Sequence, residues 1–284
     1  MKNKVKIIEC PRDAMQGIVE YIPVDVKIKY INELLKVGFD TIDFGSFVSH
    51  KAIPQLRDTE QVLDGLDLGG KSTKLLAIVA NKRGAEKACG FNEIDYLGFP
   101  LSVSEEFQKR NTNKSISEAL LEVKEIQNLS LKNNKQLVVY LSMSFGNPYQ
   151  EYYHSDIVAE LVTQLNAIGI DIISLSDTIG VSNKENIAII FSTLISEFNH
   201  IEFGAHFHTK ADESQEKLEA AFVQGCRRFD TTIMGYGGCP MAKDVLVGNM
   251  PTEHLISFLH KKGLKTYIDQ SVVQNIVKNM SLYF

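Results

Sequence analysis

The sequence predicts an α/β protein built as a closed (β/α)8 TIM barrel with additional C-terminal helices. Three observations lead to this fold class. Eight short runs of β-branched or apolar residues recur along the chain, segments with helical periodicity lie between them, and several of the runs follow a glycine. Strand therefore alternates with helix from end to end, which is typical of α/β folds.

The eight apolar runs are the predicted strands. Between them, apolar residues recur three or four positions apart, which predicts amphipathic helices. The runs occupy residues 4–10, 40–48, 74–80, 93–100, 136–145, 171–178, 202–208 and 228–235, and the clearest helical patterns cover 26–35, 116–126, 157–168 and 218–222.

Glycine marks the predicted ends of several helices. The left-handed backbone conformation that often closes a helix is favourable for glycine, which has no Cβ. Gly38, Gly90, Gly169 and Gly225 each stand just before a predicted strand, so we expect each to end a helix. Two further helical stretches, in residues 252–263 and 270–280, follow the eighth strand.

The whole chain is expected to form one catalytic domain, residues 1–284. No linker rich in proline, glycine or serine interrupts it, and its composition does not shift along its length. A doubly wound sheet would carry a G-x-G-x-x-G turn after the first strand, whereas "CPRDAMQG" stands there. The barrel is therefore the preferred architecture.

Composition and charge argue against several classes of binding partner and structural site. The net charge of −5 and the absence of a dense Lys/Arg cluster argue against a nucleic-acid partner. The cysteines are irregularly spaced and contain no C-x-x-C, so they indicate neither a disulfide framework nor a zinc knuckle. The chain shows no signal-peptide pattern and no membrane-spanning apolar run. We expect a soluble cytoplasmic protein without a membrane partner.

The most informative short motif is "EFGAHFH" at the seventh predicted strand. Because side chains alternate across a strand, His206 and His208 share one face with Gly204, and the intervening apolar residues share the other. A single buried histidine is commonly a core residue, but a pair at a strand end favours a divalent cation. If Asp13 and Asn249 join the pair, the ligand set favours Mg²⁺ or Mn²⁺ over structural zinc.

Other reactive residues fall near predicted strand ends, where barrel enzymes place their active sites. Arg12 and Asp13 are expected to end the first strand. Arg12 is read as an oxyanion-stabilising group or as half of a surface ion pair with Asp13. Asp43 is read as a substrate contact, an acceptor behind the site or a capped carboxylate, and Asp177 as an active-site group or a helix cap. Cys239 is read as a mobile acid, base or nucleophile, or as a packing residue. Ser46 and Thr178 occupy similar strand-end positions.

A set of motifs resembles those of the 3-hydroxy-3-methylglutaryl-CoA lyase family. The matching segments occur in the family's order and cover nearly the whole chain, and "GGCP" after the H-x-H strand is the most specific of them. They are "PRDAMQ", "SFVSHKAIPQLRDT", "SEEFQKRN", "ISLSDTIGV", "HFH", and "GYGGCPMA" leading to "GNMPTEHL".

The resemblance implies retro-Claisen cleavage of 3-hydroxy-3-methylglutaryl-CoA to acetoacetate and acetyl-CoA, a step of leucine catabolism and ketone-body metabolism. It implies an acyl-CoA substrate, a divalent cation (Mg²⁺ or Mn²⁺), and leaves open a homodimer. By resemblance, Asp13, His206, His208 and Asn249 hold the cation, Arg12 stabilises the enolate oxygen, and Cys239 is the catalytic thiol. Asp13 and Asp177 complete the expected catalytic set, and Gln16, Asp43, Ser46 and Thr178 are expected to contact substrate.

Several positions depart from the family pattern. Thr209 follows the second histidine where the family has aspartate, and Asp43 stands where it has glutamate. The segment from Cys239 to Asn249 is one residue longer, and residues 17–19 replace a region that often carries lysine. These departures leave a changed acyl-CoA substrate open. The alternatives are an acyl-CoA condensing transferase, an aldolase acting on a 4-hydroxy-2-oxo acid, and a non-catalytic barrel that serves as a binding module.

Overall fold

Eight parallel strands form a closed barrel, in which each strand pairs with the next and the last pairs with the first. The computed structural model describes residues 4–70, 72–238 and 247–284. The predicted (β/α)8 fold is therefore confirmed, and every predicted run contains one strand. The strands are β1 (Lys6–Glu9), β2 (Thr41–Ser46), β3 (Lys74–Ile78), β4 (Tyr96–Ser102), β5 (Gln136–Ser142), β6 (Ile172–Asp177), β7 (Glu202–Phe207) and β8 (Arg228–Thr231).

Helices connect the strands and cover the outside of the barrel. Two helices follow β1 and two follow β4, whereas a 3₁₀ turn and one helix follow β2. Within the described ranges, the helices are α1 (Pro11–Gln16), α2 (Val24–Leu35), α3 (Thr59–Asp64), α4 (Lys82–Cys89), α5 (Glu105–Thr112), α6 (Ile116–Lys132), α7 (Ser155–Ile168), α8 (Lys184–Glu197), α9 (Ser214–Val223), α10 (Thr252–Lys261) and α11 (Gln270–Lys278).

Local sequence sets several helix boundaries. Helix α6 begins with a capping box, in which the Ser115 side chain accepts from the Glu118 amide and the Glu118 carboxylate accepts from the Ser115 amide. Gly38, Gly169 and Gly225 adopt the expected positive φ angles of 92°, 87° and 104°. The expectation for Gly90 was wrong in its geometry, because it follows α4 with an ordinary φ of −70°.

The apolar core fills the space between strands and helices. Strand residues that point outward pack under the helices, and β7 illustrates the pattern: the Phe207 ring meets Phe145 at 5.7 Å and Phe191 at 6.4 Å between centroids. Phe203, Ala205 and Phe207 belong to this core, as the alternation predicted, so the neighbouring histidines face the barrel interior. A smaller apolar cluster of Leu76, Ile78, Val138, Tyr140 and Ile172 lies inside the barrel.

The C-terminal segment of the chain packs against its N-terminal part. Helix α11 packs on α2, and the Tyr283 ring lies 4.9 Å from that of Tyr30. Across the described segments, no helix is both long enough and apolar enough to span a lipid bilayer.

Candidate active site

A cavity of about 380 Å³ opens at the carboxyl ends of the strands. Its size lies in the usual range of small-molecule pockets, about 300–1,000 Å³. Its lining combines polar and apolar side chains. The polar ones include Arg12, Asp13, Gln16, Thr178, His206 and His208, and the apolar ones include Val48, Ile53, Ile78, Ala80, Pro100 and Phe107.

His206 on β7 and His208, just after its end, both line this cavity. His206 Nδ1 lies 3.2 Å from an Asp230 carboxylate oxygen, and His208 Nδ1 lies 2.9 Å from the Thr178 carbonyl oxygen. These acceptors favour a proton on each Nδ1, which leaves the Nε2 lone pairs free. The Nε2 atom of His208 is buried and has no hydrogen-bond partner within the described residues. An unpartnered buried nitrogen of this kind suits a metal ligand.

The two histidines differ electrostatically. Burial lowers the pKa of His206, but Asp230 and Asp13 raise it by more, so the net shift is upward. Burial and the neighbouring His206 lower the pKa of His208. His208 is therefore the more readily available as a neutral ligand.

Asp13 completes a set of three ligand groups. Side-chain ligand atoms of Asp13, His206 and His208 all lie within 4.8 Å of one another, and all three residues are buried. Burial raises the pKa of Asp13, but Arg12 and the two histidines lower it further, to about 2. An ionised carboxylate beside two neutral imidazole nitrogens fits a divalent cation with open coordination positions.

Helix α1 carries Asp13, which corrects one expectation. Arg12 and Asp13 do not end the first strand but lie in the first turn of α1, which begins at Pro11. Proline is favourable at this position because its missing N–H would have no partner in the first turn. The short helix directs Asp13 toward the histidines of β7.

A second group of close ligand atoms lies deeper in the barrel and is less suited to a cation. It consists of Cys10, His206 and Asp230. Burial and the nearby Asp230 raise the pKa of Cys10 well above its ordinary value, so the sulfur stays a protonated thiol. Asp230 is already engaged with His206 Nδ1. The Asp13 group is therefore the preferred cation site.

Asn249 lies beside the site and contacts Asp13. Its Nδ2 donates to Asp13 Oδ2 at 2.7 Å and to the Tyr236 carbonyl oxygen at 3.0 Å. In this arrangement the amide supports a ligand carboxylate. Its predicted role as a direct ligand, through Oδ1, stays a prediction.

Arg12 lies at the cavity wall, fixed by two carboxylates. Its Nε and Nη2 donate to one Asp43 oxygen at 3.0 and 2.6 Å, and its Nη1 donates to Asp13 and to Gln16, each at 2.9 Å. Burial opposes the charge, but Asp43 and Asp13 raise the pKa of Arg12, so it remains a cation. Burial raises the pKa of Asp43 to about 6, although Arg12 lowers it. Asp43 thus holds Arg12 and does not itself line the cavity.

The remaining predicted substrate contacts divide into two groups. Gln16 and Thr178 line the cavity, and the Thr178 hydroxyl accepts from the Met143 amide at 2.9 Å. Ser46 lies at the end of β2 but faces its own loop, where its hydroxyl accepts from the Val48 amide at 3.2 Å. The structure therefore brings Gln16 and Thr178 to the site, and it does not bring Ser46 there.

Asp177 has the contacts of a positioning residue. One of its oxygens accepts from the Val181 amide, and the other accepts from Ser182 and from the buried Lys217 ammonium at 3.0 Å. Asp177 does not cap helix α8, because Asn183 supplies that cap. Its predicted catalytic role stays a prediction.

The predicted catalytic thiol lies outside the described residues, since Cys239 falls between the segments ending at 238 and beginning at 247. The segment before it packs tightly on the site. Gly237 has φ 93°, and a Cβ there would lie 2.7 Å from the Asp13 carbonyl oxygen and 2.9 Å from Asn249 Nδ2. Only glycine allows the backbone this close approach.

Thr209 takes no part in holding either histidine. Its hydroxyl donates to the Lys210 carbonyl oxygen, and its amide donates to that of Gly248. The Nδ1 atoms of the two histidines are instead held from β8 by Asp230 and from the loop after β6 by the Thr178 carbonyl oxygen.

Sequence analysis missed two buried residues next to the site, Asp230 and Tyr140. The Tyr140 ring packs edge-on against His206, 5.7 Å between centroids. A signal for Asp230 was present in "RFDTTIMG", where two charged residues two positions apart share one face of a predicted buried strand.

The fold and the site together define a class, that of (β/α)8-barrel enzymes with a candidate divalent-cation site at the carboxyl ends of the strands. The description "HMGL-like" belongs to the family whose profile matches residues 4–279. The chain belongs to the HMGL-like family.

Curated relatives and solved structures agree with this assignment. The chain is 35% identical to hydroxymethylglutaryl-CoA lyase YngG of Bacillus subtilis over 94% of this chain and 88% of that protein. It is 30% identical to the hydroxymethylglutaryl-CoA lyase of Pseudomonas mevalonii over 96% and 90%. An HMG-CoA lyase of Acinetobacter baumannii, solved with coenzyme A and 3-methylmalate, superimposes with a TM-score of 0.91 at 30% identity, covering 100% of this chain and 92% of that one.

Proposed function

We propose that this chain is a hydroxymethylglutaryl-CoA lyase, which cleaves (S)-3-hydroxy-3-methylglutaryl-CoA to acetoacetate and acetyl-CoA. The observation that carries the proposal is the convergence of Asp13, His206 and His208 in the lining of the cavity, with Arg12 bonded to Asp13. The relatives named hydroxymethylglutaryl-CoA lyase align over nearly the whole chain, which supports the same reaction here.

In this reaction the bond between C2 and C3 of the acyl group breaks. The proton of the tertiary hydroxyl leaves, C3 becomes the ketone carbon of acetoacetate, and the bonding electron pair moves to C2 as the enolate of acetyl-CoA. A proton delivered to C2 completes acetyl-CoA. The protein must therefore assist loss of one proton, stabilise a developing oxyanion and deliver one proton.

Asp13, His206 and His208 are the residues proposed to hold Mg²⁺ or Mn²⁺, with Asn249 beside them. A bound divalent cation would polarise the tertiary hydroxyl and so lower the barrier to loss of its proton. Asp13, whose pKa is lowered to about 2, suits the role of a cation ligand better than that of the proton acceptor.

Arg12 is proposed to stabilise the enolate oxygen as negative charge develops on the thioester carbonyl. Its guanidinium is held by Asp43 and Asp13 and borders the cavity, so it needs little reorganisation when the charge appears. Asp43 still reaches Arg12 at 2.6 Å although it is one methylene shorter than glutamate. The shorter side chain is therefore compatible with the same reaction.

Cys239 is proposed, from the family motif, to deliver the proton to C2. Positive φ angles of 70°, 93° and 146° at Gly235, Gly237 and Gly238 lead the chain toward it across the site. A loop built on such residues can move over a bound substrate and exclude water from the enolate.

We propose an acyl-CoA as the substrate class, supported by the coenzyme A in the Acinetobacter baumannii enzyme's structure. We further propose one catalytic domain spanning residues 1–284, a cytoplasmic location, assembly as a homodimer, and a place in leucine catabolism and ketone-body metabolism. Because the ligand set is retained, a non-catalytic barrel is disfavoured.

Activity is tested with chain stripped by EDTA and offered a panel of acyl-CoA thioesters, with products identified by mass. We expect acetoacetate and acetyl-CoA from the hydroxymethylglutaryl thioester after Mg²⁺ or Mn²⁺ is restored, and none from a His208→Ala control. Cleavage that continues undiminished in EDTA would contradict the proposal.

A further inference from the structure

The interior of the barrel below the candidate cation site contains a buried pair of opposite charges on β8. Arg228 is fully buried and Asp230 is 3% exposed. We propose that Asp230 is a positioning residue, which orients His206 toward the cation site, and that Arg228 is the buried cation that accompanies it on the same strand. The inference rests on the cation site of the proposed function, and nothing in it depends on the substrate.

Strand register brings these residues together. In the parallel pair of β7 and β8, Gly204 lies opposite Arg228 and His206 lies opposite Asp230. Since residues two apart share a face, all four point into the barrel. Two successive inward positions of one strand pair thus place the arginine in one interior layer and the carboxylate and the imidazole in the next.

Gly204 makes room for the arginine. A Cβ at position 204 would lie 3.0 Å from Arg228 Cδ and 3.2 Å from Cγ, so any larger residue there would displace the arginine side chain. The side chain then extends to Glu202, with Nη1 3.3 Å from a carboxylate oxygen. The arginine side chain therefore depends on the space that Gly204 leaves and on its contact with Glu202.

One carboxylate oxygen of Asp230 has hydrogen-bond partners, and the other has none among the described residues. Its Oδ2 accepts from the Ser174 hydroxyl at 3.2 Å and lies 3.2 Å from His206 Nδ1. Its Oδ1, like Arg228 Nε and Nη2, is buried without a hydrogen-bond partner among the described residues. Burial opposes the charge of Arg228, but the nearby Asp230 raises the arginine's pKa, so Arg228 remains a cation. Groups of this kind are commonly bridged by buried water.

The effect on His206 follows from imidazole chemistry. A proton held on Nδ1 by a carboxylate leaves the Nε2 lone pair facing the cavity, and the charge on the carboxylate makes that lone pair more basic. His208 has only the neutral Thr178 carbonyl in the same place. The two ligands are thus oriented by different means, and among the described residues Asp230 is the charged group that contacts a histidine Nδ1 of the site.

The test measures Mn²⁺ affinity of the metal-free chain by electron paramagnetic resonance. We expect Asp230→Asn to weaken Mn²⁺ binding about 10–100-fold, the range typical for loss of a group behind a metal ligand. Ser174→Ala is the matched control, because Ser174 contacts the same oxygen but not the histidine, and we expect it to change the affinity little. Circular dichroism and the melting temperature establish that each variant is folded.

Two further measurements keep the inference testable if Asp230→Asn does not fold. Arg228→Met combined with Asp230→Asn removes both buried charges, so no single uncompensated charge is left in the barrel. This double variant should bind Mn²⁺ more weakly than the wild type, as Asp230→Asn does. Long-range ¹⁵N–¹H correlation on the metal-free wild type should show the His206 proton on Nδ1. A proton on Nε2, or unchanged Mn²⁺ affinity in a folded variant that lacks Asp230, would overturn the inference. If the wild type itself binds no Mn²⁺, the proposed cation site fails instead.

Discussion

Replacing Lys217 with methionine should destabilise the fold and disturb the site from behind. Lys217 lies on α9, and its side chain is 3% exposed. Its Nζ donates to Asp177 Oδ2 at 3.0 Å and to the His208 carbonyl oxygen at 3.0 Å. One ammonium thus joins the ends of β6 and β7, next to a proposed cation ligand. Methionine keeps the length and apolar stem of the side chain and removes its charge.

The expected loss in the free energy of unfolding depends on the Asp177 carboxylate, which the substitution leaves buried without the Lys217 ammonium. Asp177 has a fully buried side chain and would lose its only cation within 4 Å among the described residues. Removing one partner of such a pair typically costs about 3–5 kcal/mol. The Val181 and Ser182 amides and the Ser182 hydroxyl would still donate to the carboxylate, which places the expected loss near the lower value, about 3 kcal/mol.

Urea unfolding, followed by circular dichroism, measures this loss as a change in the free energy of unfolding. Lys210→Met is the matched control, because Lys210 is 69% exposed and its ion pair with Glu213 spans 3.6 Å. That surface change should cost less than about 1 kcal/mol. Lys217→Met combined with Asp177→Asn removes both charges and should recover part of the stability. Equal effects of Lys217→Met and Lys210→Met would refute the idea of a stabilising buried pair.

Three other predictions concern the site and the base of its loop. Arg12→Lys should lower kcat by orders of magnitude while Mn²⁺ affinity is retained, because lysine lacks the planar fork that bonds Asp43 through two nitrogens; unchanged kcat would count against the role of Arg12. Burial raises the pKa of Glu9 from 4.5 to about 8. Between these pH values the folded chain keeps a proton on Glu9 that the unfolded chain has lost, so the free energy of unfolding should fall as the pH rises from 4.5 to 8. Urea unfolding at pH 5 and pH 8 should show that Glu9→Gln flattens this dependence, and an identical slope in both proteins would exclude it. Cys239→Ser should bind Mn²⁺ normally and lose cleavage activity by orders of magnitude, and equal turnover would remove the thiol from the mechanism.

The fold was predictable because its signals are local. Alternation of apolar residues along β7 placed Phe207 in the core and the histidines inside the barrel, and a 3.6-residue period placed helices such as α7. Glycines with positive φ, such as Gly169, marked helix ends. Each of these depends on neighbours within a few residues, so the sequence alone contains the information.

The site was less predictable where it depends on contacts between distant segments. Asp230 lies 24 residues from His206 in the chain, and Lys217 lies 40 residues from Asp177. No local pattern shows which charges will meet, because strand register decides the first contact and the packing of α9 on the barrel decides the second. Ser46 stands at a strand end, as active-site residues do, yet its hydroxyl accepts a hydrogen bond within its own loop, and its substrate contact stays a prediction.

The most direct measurement is the location of Mn²⁺ by anomalous diffraction from crystals grown with the ion. We expect one peak per chain, about 2 Å from a carboxylate oxygen of Asp13 and from the Nε2 atoms of His206 and His208. A peak between Cys10, His206 and Asp230, or no peak near these histidines at saturating Mn²⁺, would contradict the proposed cation site and the reaction built on it.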